Sequence, residues 1–301
     1  VKWNVTTRTP AKINLHLHVY PVREDGFHDL KSLFVMVSLY DELRLSSADH
    51  GNCLIRGFEG IPREDNLIWK AWHSYGKAAG DYVGINVICN KHIPPMSGLG
   101  GGSSDAAAVL KSLDLIARRQ GRTHLGSDVL RRIAEGLGSD VPFFLNGPAA
   151  LAEGRGELLT PVEVPKEYPL VLVRPDPDVS TIEAYRRLDE EGVDQRKDCS
   201  TEELKRNFLE KSPAEWFFYN SFTPVISRQY PEIKSLIDYL YQKGAGYAEM
   251  SGSGSAVFGV FSEDEKAQKA TEGLKKERQN VWKLKMLALP PEAVYNESRL
   301  K

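Results

Sequence analysis

In the stretch PPMSGLGGGSSDAAAVLKSL, Pro94 to Leu113, four glycines (Gly98, Gly100, Gly101 and Gly102) and the hydroxyls of Ser103 and Ser104 lead straight into a helical pattern. The chemistry such a stretch can do is to hold an oxyanion. The first amides of a helix lack partners and carry about half a positive charge, so phosphate oxygens are stabilised there. Glycines let the backbone take unusual angles and approach a ligand with no Cβ in the way. Ser103 and Ser104 add hydroxyl donors or cap the helix. Two familiar cradles are excluded. Ser103 stands where a dinucleotide fingerprint needs its third glycine, with no acidic residue at the proper offset after a strand, and no Gly-Lys-Ser/Thr closes a Walker loop. The plain alternative is a flexible connector. A connector needs neither the apolar strand pattern GINVICNK before it nor a well-patterned helix after it.

The surrounding elements can be read from periodicity. In AKINLHLHVY, Ile13, Leu15, Leu17 and Val19 alternate with Lys12, Asn14, His16 and His18, a half-buried strand that projects Lys12 and Asn14 from one face. Pro21 and Asp25-Gly26 signal a turn into a second long strand, SLFVMVSLYDELRL, so a hairpin opens the fold. The helical stretch NLIWKAWHSYGKAAG and the strand GINVICNK deliver the chain to the glycine loop. In the helix that follows, Ala106, Val109, Leu110, Leu113, Ile116 and Ala117 share one apolar face, Arg118 and Arg119 suit its carboxyl end, and Gly121 stops it. SDVLRRIAEGL reads as a helix ending at Gly138, SDVPFFL as a turn into apolar chain, AALAEGRGELLTPVEV as a hairpin around Gly154 and Gly156, and YPLVLVRP as a buried strand. A change of domain is expected near Pro165. Beyond it, the charged segment from Asp189 to Lys211 is too polar for core and reads as a solvated helix pair or a mobile loop. EIKSLIDYLYQKGA and EDEKAQKATEGLKKE are helices, GYAEM and AVFGVF strands around the turn SGSGS, and the tail past Pro290 is expected to be weakly ordered.

Bulk properties narrow the class of partner. With 301 residues and 41% apolar content the chain can bury a sizeable core. The 39 basic and 41 acidic side chains nearly cancel, so no broad field argues for nucleic acid or an anionic membrane, and a small-molecule partner is expected. Cys53, Cys89 and Cys199 are odd in number and far apart, which fits three reduced thiols better than disulfides or a zinc site. No run of about 18 apolar residues is available to span a bilayer, and VKWNVTTRTP lacks the apolar block of a leader; the expectation is a cytoplasmic protein.

PPMSGLGGGSSDAA resembles the Pro-x-x-x-Gly-Leu-Gly-Ser/Gly-Ser-Ser-x-Ala-Ala signature of the GHMP kinases, the superfamily of galactokinase, homoserine kinase and mevalonate kinase. PAKINLHLHV, REDGFHDLKSLF, EDNLI, GSDVPFFLNGPAALAEGRGE and MSGSGSAVF extend the likeness over nearly the whole chain up to Phe261. They resemble the branch whose acceptor is a cytidine diphosphate-linked methylerythritol. The resemblance implies an α+β, two-domain GHMP kinase fold, 1–165 binding ATP and 166–301 forming a smaller α+β domain, with the active site in the cleft between them. It implies phosphorylation of the acceptor's 2-hydroxyl by ATP with Mg²⁺.

Phosphoryl transfer needs positioning of the nucleophile and neutralisation of moving charge rather than covalent help, so one carboxylate and one cation can suffice. The resemblance puts these roles on Asp140, orienting or deprotonating the hydroxyl, and Lys12, stabilising developing charge and keeping the aspartate ionised. It wraps the ATP phosphates in Pro94, Pro95, Met96, Ser97, Gly98, Leu99, Gly100, Gly101, Gly102, Ser103 and Ser104, with Ser104 contacting Mg²⁺ and Asn66 and Lys91 near the adenosine. A hydroxyl alone binds magnesium weakly, since that hard ion prefers carboxylate and phosphate oxygens and keeps its waters. For the acceptor it implies Asn14, Phe27, His28 and Tyr185, with Phe27 in place of the family's tyrosine: the ring still stacks on a base, and the phenolic hydrogen bond is lost. SGSGSAVF matches a further motif, usually Thr-Gly-Thr-Gly-Ala, whose small residues permit close approach to the site. His16 and His18, without acidic or cysteine partners in sequence, read as packed polar residues rather than metal ligands. Two rivals remain: another GHMP kinase acting on a sugar, homoserine or mevalonate, against which DGFHDL argues, and a non-catalytic nucleotide- and sugar-binding regulator, against which the Lys12 and Asp140 pair argues.

Overall fold

The computed structural model describes residues 2–298 except 59, 177 and 193–197. The chain opens with the expected hairpin of long antiparallel strands, β1 (Lys2–Val22) and β2 (His28–Ser47), which pair Lys12 with Met36 and Asn14 with Phe34. β3 (Cys53–Arg56), α1 (Leu67–Ala79) and β4 (Ile85–Asn90) follow, then α2 (Gly101–Arg119), α3 (Gly126–Leu137), α4 (Val141–Asn146), β5 (Ala149–Glu153) and β6 (Leu158–Val162). The Asn66 side chain caps α1 by accepting from Ile68 N, and Gly80, at φ 67°, closes it. The second half runs β7 (Pro169–Val173), α5 (Thr181–Glu191), α6 (Thr201–Glu210), α7 (Thr223–Gln229), α8 (Pro231–Gln242), β8 (Tyr247–Met250), β9 (Val257–Val260), α9 (Asp264–Lys275), β10 (Val281–Lys285) and β11 (Val294–Ser298).

Two sheets stack with helices outside each. The first has the order β11-β1-β2-β4-β3, with β5 pairing β2 and β6 pairing β5; the second has the order β10-β7-β9-β8. Period-two alternation decides the layers. Ile13, Leu15, Leu33 and Val35 of the first sheet meet Leu170, Leu172 and Phe258 of the second in one core. Val171, Val173 and Val257 face the other way, against Ile233, Leu236 and Leu240 of α8 and Ala267, Ala270 and Leu274 of α9. On the far side of the first sheet, Phe34, Met36 and Val87 pack under Leu110, Leu113 and Ile116 of α2 and Phe143 of α4.

Three expectations need correction. SDVPFFL is more than a turn: Pro142 stands in the first turn of α4, and Val141, Phe143 and Phe144 are buried. The charged segment contributes core, since Leu204 and Phe208 of α6 are fully buried, one helical turn apart; its residues 193–197 lie outside those described. The tail past Pro290 is ordered as β11 against β1, Lys2 opposite Ser298 and Thr6 opposite Val294. A cut at 165/166 therefore leaves one strand of the first sheet on the far side. No helix among the described residues is long and apolar enough to cross a membrane.

Candidate active site

The glycine loop joins β4 to α2, and its backbone turns at Met96 (φ 50°), Gly98 (φ 74°) and Gly100 (φ 70°). Gly100 caps α2, whose first helical bond runs from Ser104 N to Gly100 O, 2.9 Å. The amides ahead of Ser104 have no acceptor within the helix. On one side the loop is tied to β1, Lys12 N donating to Leu99 O at 2.9 Å; on the other it rests on the second glycine turn, Ala256 N donating to Ser97 O at 3.4 Å. A Cβ on Gly98 would stand 2.4 Å from Ser251 O, so glycine is required there by space as well as by φ. Asn220 braces that second turn by donating its side-chain amide to Met250 O and Gly252 O, both 2.8 Å.

Beside the loop, Lys12 runs its stem past Gly100 and is almost fully buried. Its Nζ lies 3.4 Å from Asp140 Oδ2, donates to Asn14 Oδ1 at 2.7 Å and sits 4.9 Å from the Phe34 ring centroid. Asp140, immediately before α4, keeps 29% of its side chain exposed. A buried cation thus lies against a partly open carboxylate at the foot of the glycine loop. Asn14 is buried with both amide ends engaged, accepting from Lys12 and donating to Ser32 Oγ at 2.9 Å. In this structure it positions Lys12.

At the other end of the loop Lys91 is not a free cation. Its Nζ donates to Asp105 Oδ2 at 2.8 Å and to Asp41, and lies 5.6 Å from the Phe58 ring centroid. Asp41 Oδ1 accepts from the amides of His92 (2.6 Å) and Ile93 (2.8 Å), and Thr9 Oγ1 donates to Asp105 Oδ1 at 2.7 Å. Burial pushes the Asp105 carboxyl up to about 6 against the pull of Lys91. Burial alone would lower Lys91, but Asp105 and Asp41 outweigh it and hold the ammonium above its ordinary value. This group ties β1, β2, β4 and α2 together where the loop leaves β4. Sequence reading missed Asp41, Asp105 and Thr9. One signal was available: Asp105 lies four residues before Val109 on the apolar face of α2, where a carboxylate demands a partner.

Ser103 is half-buried, whereas Ser104 is 2% exposed and borders a cavity of about 30 Å³ with Pro10, Met36 and Phe144. No group of three or more His, Cys, Asp or Glu among the described residues is arranged to hold a metal. His16 and His18 are buried against Tyr219, to whose hydroxyl His18 Nδ1 bonds at 2.5 Å.

Three of the four residues expected at the acceptor end, Phe27, His28 and Tyr185, come together in an open cleft of about 590 Å³ that Ser139, adjacent to Asp140, also lines; the fourth, Asn14, is buried and is not among its lining residues. His28 Nδ1 donates to Tyr20 O at 2.8 Å, and its Nε2 lies 3.4 Å from Asp189 Oδ1, another lining residue of the cleft. The His28 and Tyr185 rings lie 4.9 Å apart at 37°. The Tyr185 phenol is pushed up by burial and then by Asp140, which places it within reach of that carboxylate's field. Phe27 is 52% exposed at the rim.

Comparison with known proteins identifies the family. Residues 66–148 match the model of the GHMP kinase N-terminal domain and residues 202–280 that of the GHMP kinase C-terminal domain. A 4-diphosphocytidyl-2-C-methyl-D-erythritol kinase of Nitratidesulfovibrio vulgaris is 38% identical over 276 residues, 90% of this chain and 95% of the relative. Its counterpart in Deinococcus radiodurans is 39% identical over 276 residues, covering 91% and 89%. Among solved structures, a 4-(cytidine 5'-diphospho)-2C-methyl-D-erythritol kinase superposes with a TM-score of 0.80 at 34% identity, over 93% of this chain and 98% of the other. Homoserine kinase of Cytophaga hutchinsonii shares the fold, with a TM-score of 0.73 at 19% identity over 97% of each chain.

Proposed function

The chain belongs to the GHMP kinases, in the family of 4-diphosphocytidyl-2-C-methyl-D-erythritol kinases, and on that premise we propose how its residues divide the transfer of a phosphoryl group from ATP to the acceptor's 2-hydroxyl. The free amides that open α2 and the loop from Pro94 to Ser104 take the phosphates of ATP, with Asn66 and Lys91 toward the adenosine. Phe27, His28 and Tyr185 hold the cytosine in the cleft beside Asp140, by stacking and by the His28 edge. Asp140 accepts a hydrogen bond from the 2-hydroxyl and orients its oxygen toward the outermost phosphorus. Lys12, 3.4 Å from Asp140 Oδ2, offsets the negative charge that gathers on the transferring group. Asn14 holds Lys12 in that position. The observation that carries this reading is the Lys12–Asp140 contact of 3.4 Å, placed between the phosphate loop and the acceptor cleft.

Magnesium, when bound with ATP, would neutralise and orient the phosphates. With no carboxylate cage in the described protein, phosphate oxygens and water would supply most of its ligands, the Ser104 hydroxyl at most one. The likeness to a homoserine kinase carries the fold alone; a cleft lined by an exposed phenylalanine, a histidine and a tyrosine suits a nucleobase better than a small aliphatic alcohol.

Asp140→Asn keeps the shape and removes the charge. Turnover should fall by about 10²–10⁴-fold, while ATP affinity measured by calorimetry stays near that of the unaltered protein. Retained turnover would remove Asp140 from the mechanism, and a matching loss of ATP affinity would make its role structural.

A further inference from the structure

The acceptor cleft must hold a substrate that carries a diphosphate, yet its wall is mostly of the wrong sign. Glu135, Glu157 and Asp189 all line it, and Arg155 is the one lysine or arginine among the described lining residues. The lysines flanking the glycine loop are committed elsewhere, Lys12 to Asp140 and Asn14 and Lys91 to Asp41 and Asp105, and of the cleft's carboxylates only Glu135, among the described residues, has an arginine beside it, Arg131 at 3.0 Å. A diphosphate left without a cation here would sit in a net negative field.

Arg155 is built to be available. It stands at the tip of the β5–β6 hairpin between Gly154 (φ 66°) and Gly156 (φ 106°), and it is exposed. Neither carboxylate two residues away in sequence neutralises it: Glu153 Oε1 accepts from Thr201 Oγ1 at 2.9 Å. Glu157 Oε2 accepts from the Arg155 backbone amide at 2.7 Å, and its carboxylate folds over Gly154, where an added Cβ would meet Oε1 at 2.9 Å. The guanidinium pairs with no carboxylate among the described residues; it lies 4.6 Å from the ring centroid of Phe27. The same ring that we assign to the base therefore carries a cation over one face. Arginine's planar fork of N–H donors matches phosphate oxygens two at a time.

We propose that Arg155 binds the diphosphate of the cytidine-linked substrate and sets the preference for a nucleoside diphosphate group over an uncharged nucleoside. This rests on reading the cleft as the acceptor site. Stacking on Phe27 holds the guanidinium in place without consuming its donors, so its hydrogen-bonding edge stays free for the ligand.

The test measures cytidine and cytidine 5'-diphosphate binding by calorimetry on the full chain, with the ATP site filled by an unreactive ATP analogue. Arg155→Gln should weaken the diphosphate by about tenfold to hundredfold and leave cytidine and the KM for ATP unchanged. Arg155→Lys should recover part of the loss. Parallel weakening of cytidine and its diphosphate would overturn the proposal, leaving Arg155 as a brace for Phe27; an unchanged diphosphate affinity would overturn it as well. If the unaltered protein binds neither ligand, the acceptor-site reading itself fails and the role of Arg155 with it. Arg155 is exposed, so an unshifted thermal midpoint is expected to accompany both variants.

Discussion

Asp105 is a fully buried carboxylate beside a second one, Asp41, with a single ammonium between them. One positive charge cannot satisfy two negative ones in a poorly solvated place, so burial wins and the Asp105 carboxyl is pushed up to about 6. The sign of the linked stability follows. The folded chain holds the Asp105 proton more tightly than the unfolded chain does, so this group favours folding below its ordinary value near 3.8 and loses that contribution as pH rises through about 6. Asp105→Asn removes the titration. The stability of the unaltered protein minus that of the variant should therefore fall between about pH 4 and pH 6 and level off above, read as the difference in denaturation free energy across pH. A flat difference would mean that the folded and unfolded chains hold the Asp105 proton equally well. Lys12 and Asn14 were legible in the sequence because alternation along one strand puts them on one face; Asp41 with Asp105, like Arg155 with Phe27, meet only through long-range folding, and composition carries no trace of that.

The glycine loop works as an element because it is pressed between β1 and the turn at Ser251 to Ser255. Gly98 is where that pressure is greatest. Gly98→Ala would place a methyl 2.4 Å from Ser251 O at a φ of 74°, so the two loops must separate or the backbone must change. Unfolding stability should drop by about 1–3 kcal/mol, and the KM for ATP should rise more than the KM for the acceptor. Equal stability and an unchanged KM would show that the loop does not need this contact. Periodicity made α2 readable before the structure, since its apolar face repeats over about three turns, from Ala106 to Ala117. It could not reveal α4, whose six residues hold too few turns to repeat, nor weigh α6 correctly, where Leu204 and Phe208 are one turn apart amid acidic and basic neighbours. β11 escaped for another reason: VYNES is short and polar, and what orders it is the open edge of β1 rather than its own propensity.

At the scale of the whole molecule the chain returns to where it started, and the last described strand closes the edge of the first. Each sheet has helices on one face and the other sheet on its second, so burial is continuous from α2 through to α8. β11 covers the edge of β1 from Lys2 to Thr6, with Trp3 and Val5 buried beneath and Arg119 set 6.0 Å from the Tyr295 ring centroid. This closure lies far from the chemistry: Lys12 is six positions beyond Thr6, about 20 Å along the strand. A chain ending at Ala293 should thus lose about 1–3 kcal/mol, a few degrees in thermal midpoint, and gain a tendency to associate through the exposed edge. Its kcat and KM values should stay within about twofold of the full chain. The segment just before the cut matters to the interpretation, because Pro290, Pro291 and Ala293 border the small cavity that Ser104 also lines. If the shortened chain melts normally but loses turnover, the tail acts on the phosphate loop through that contact rather than by sealing the sheet.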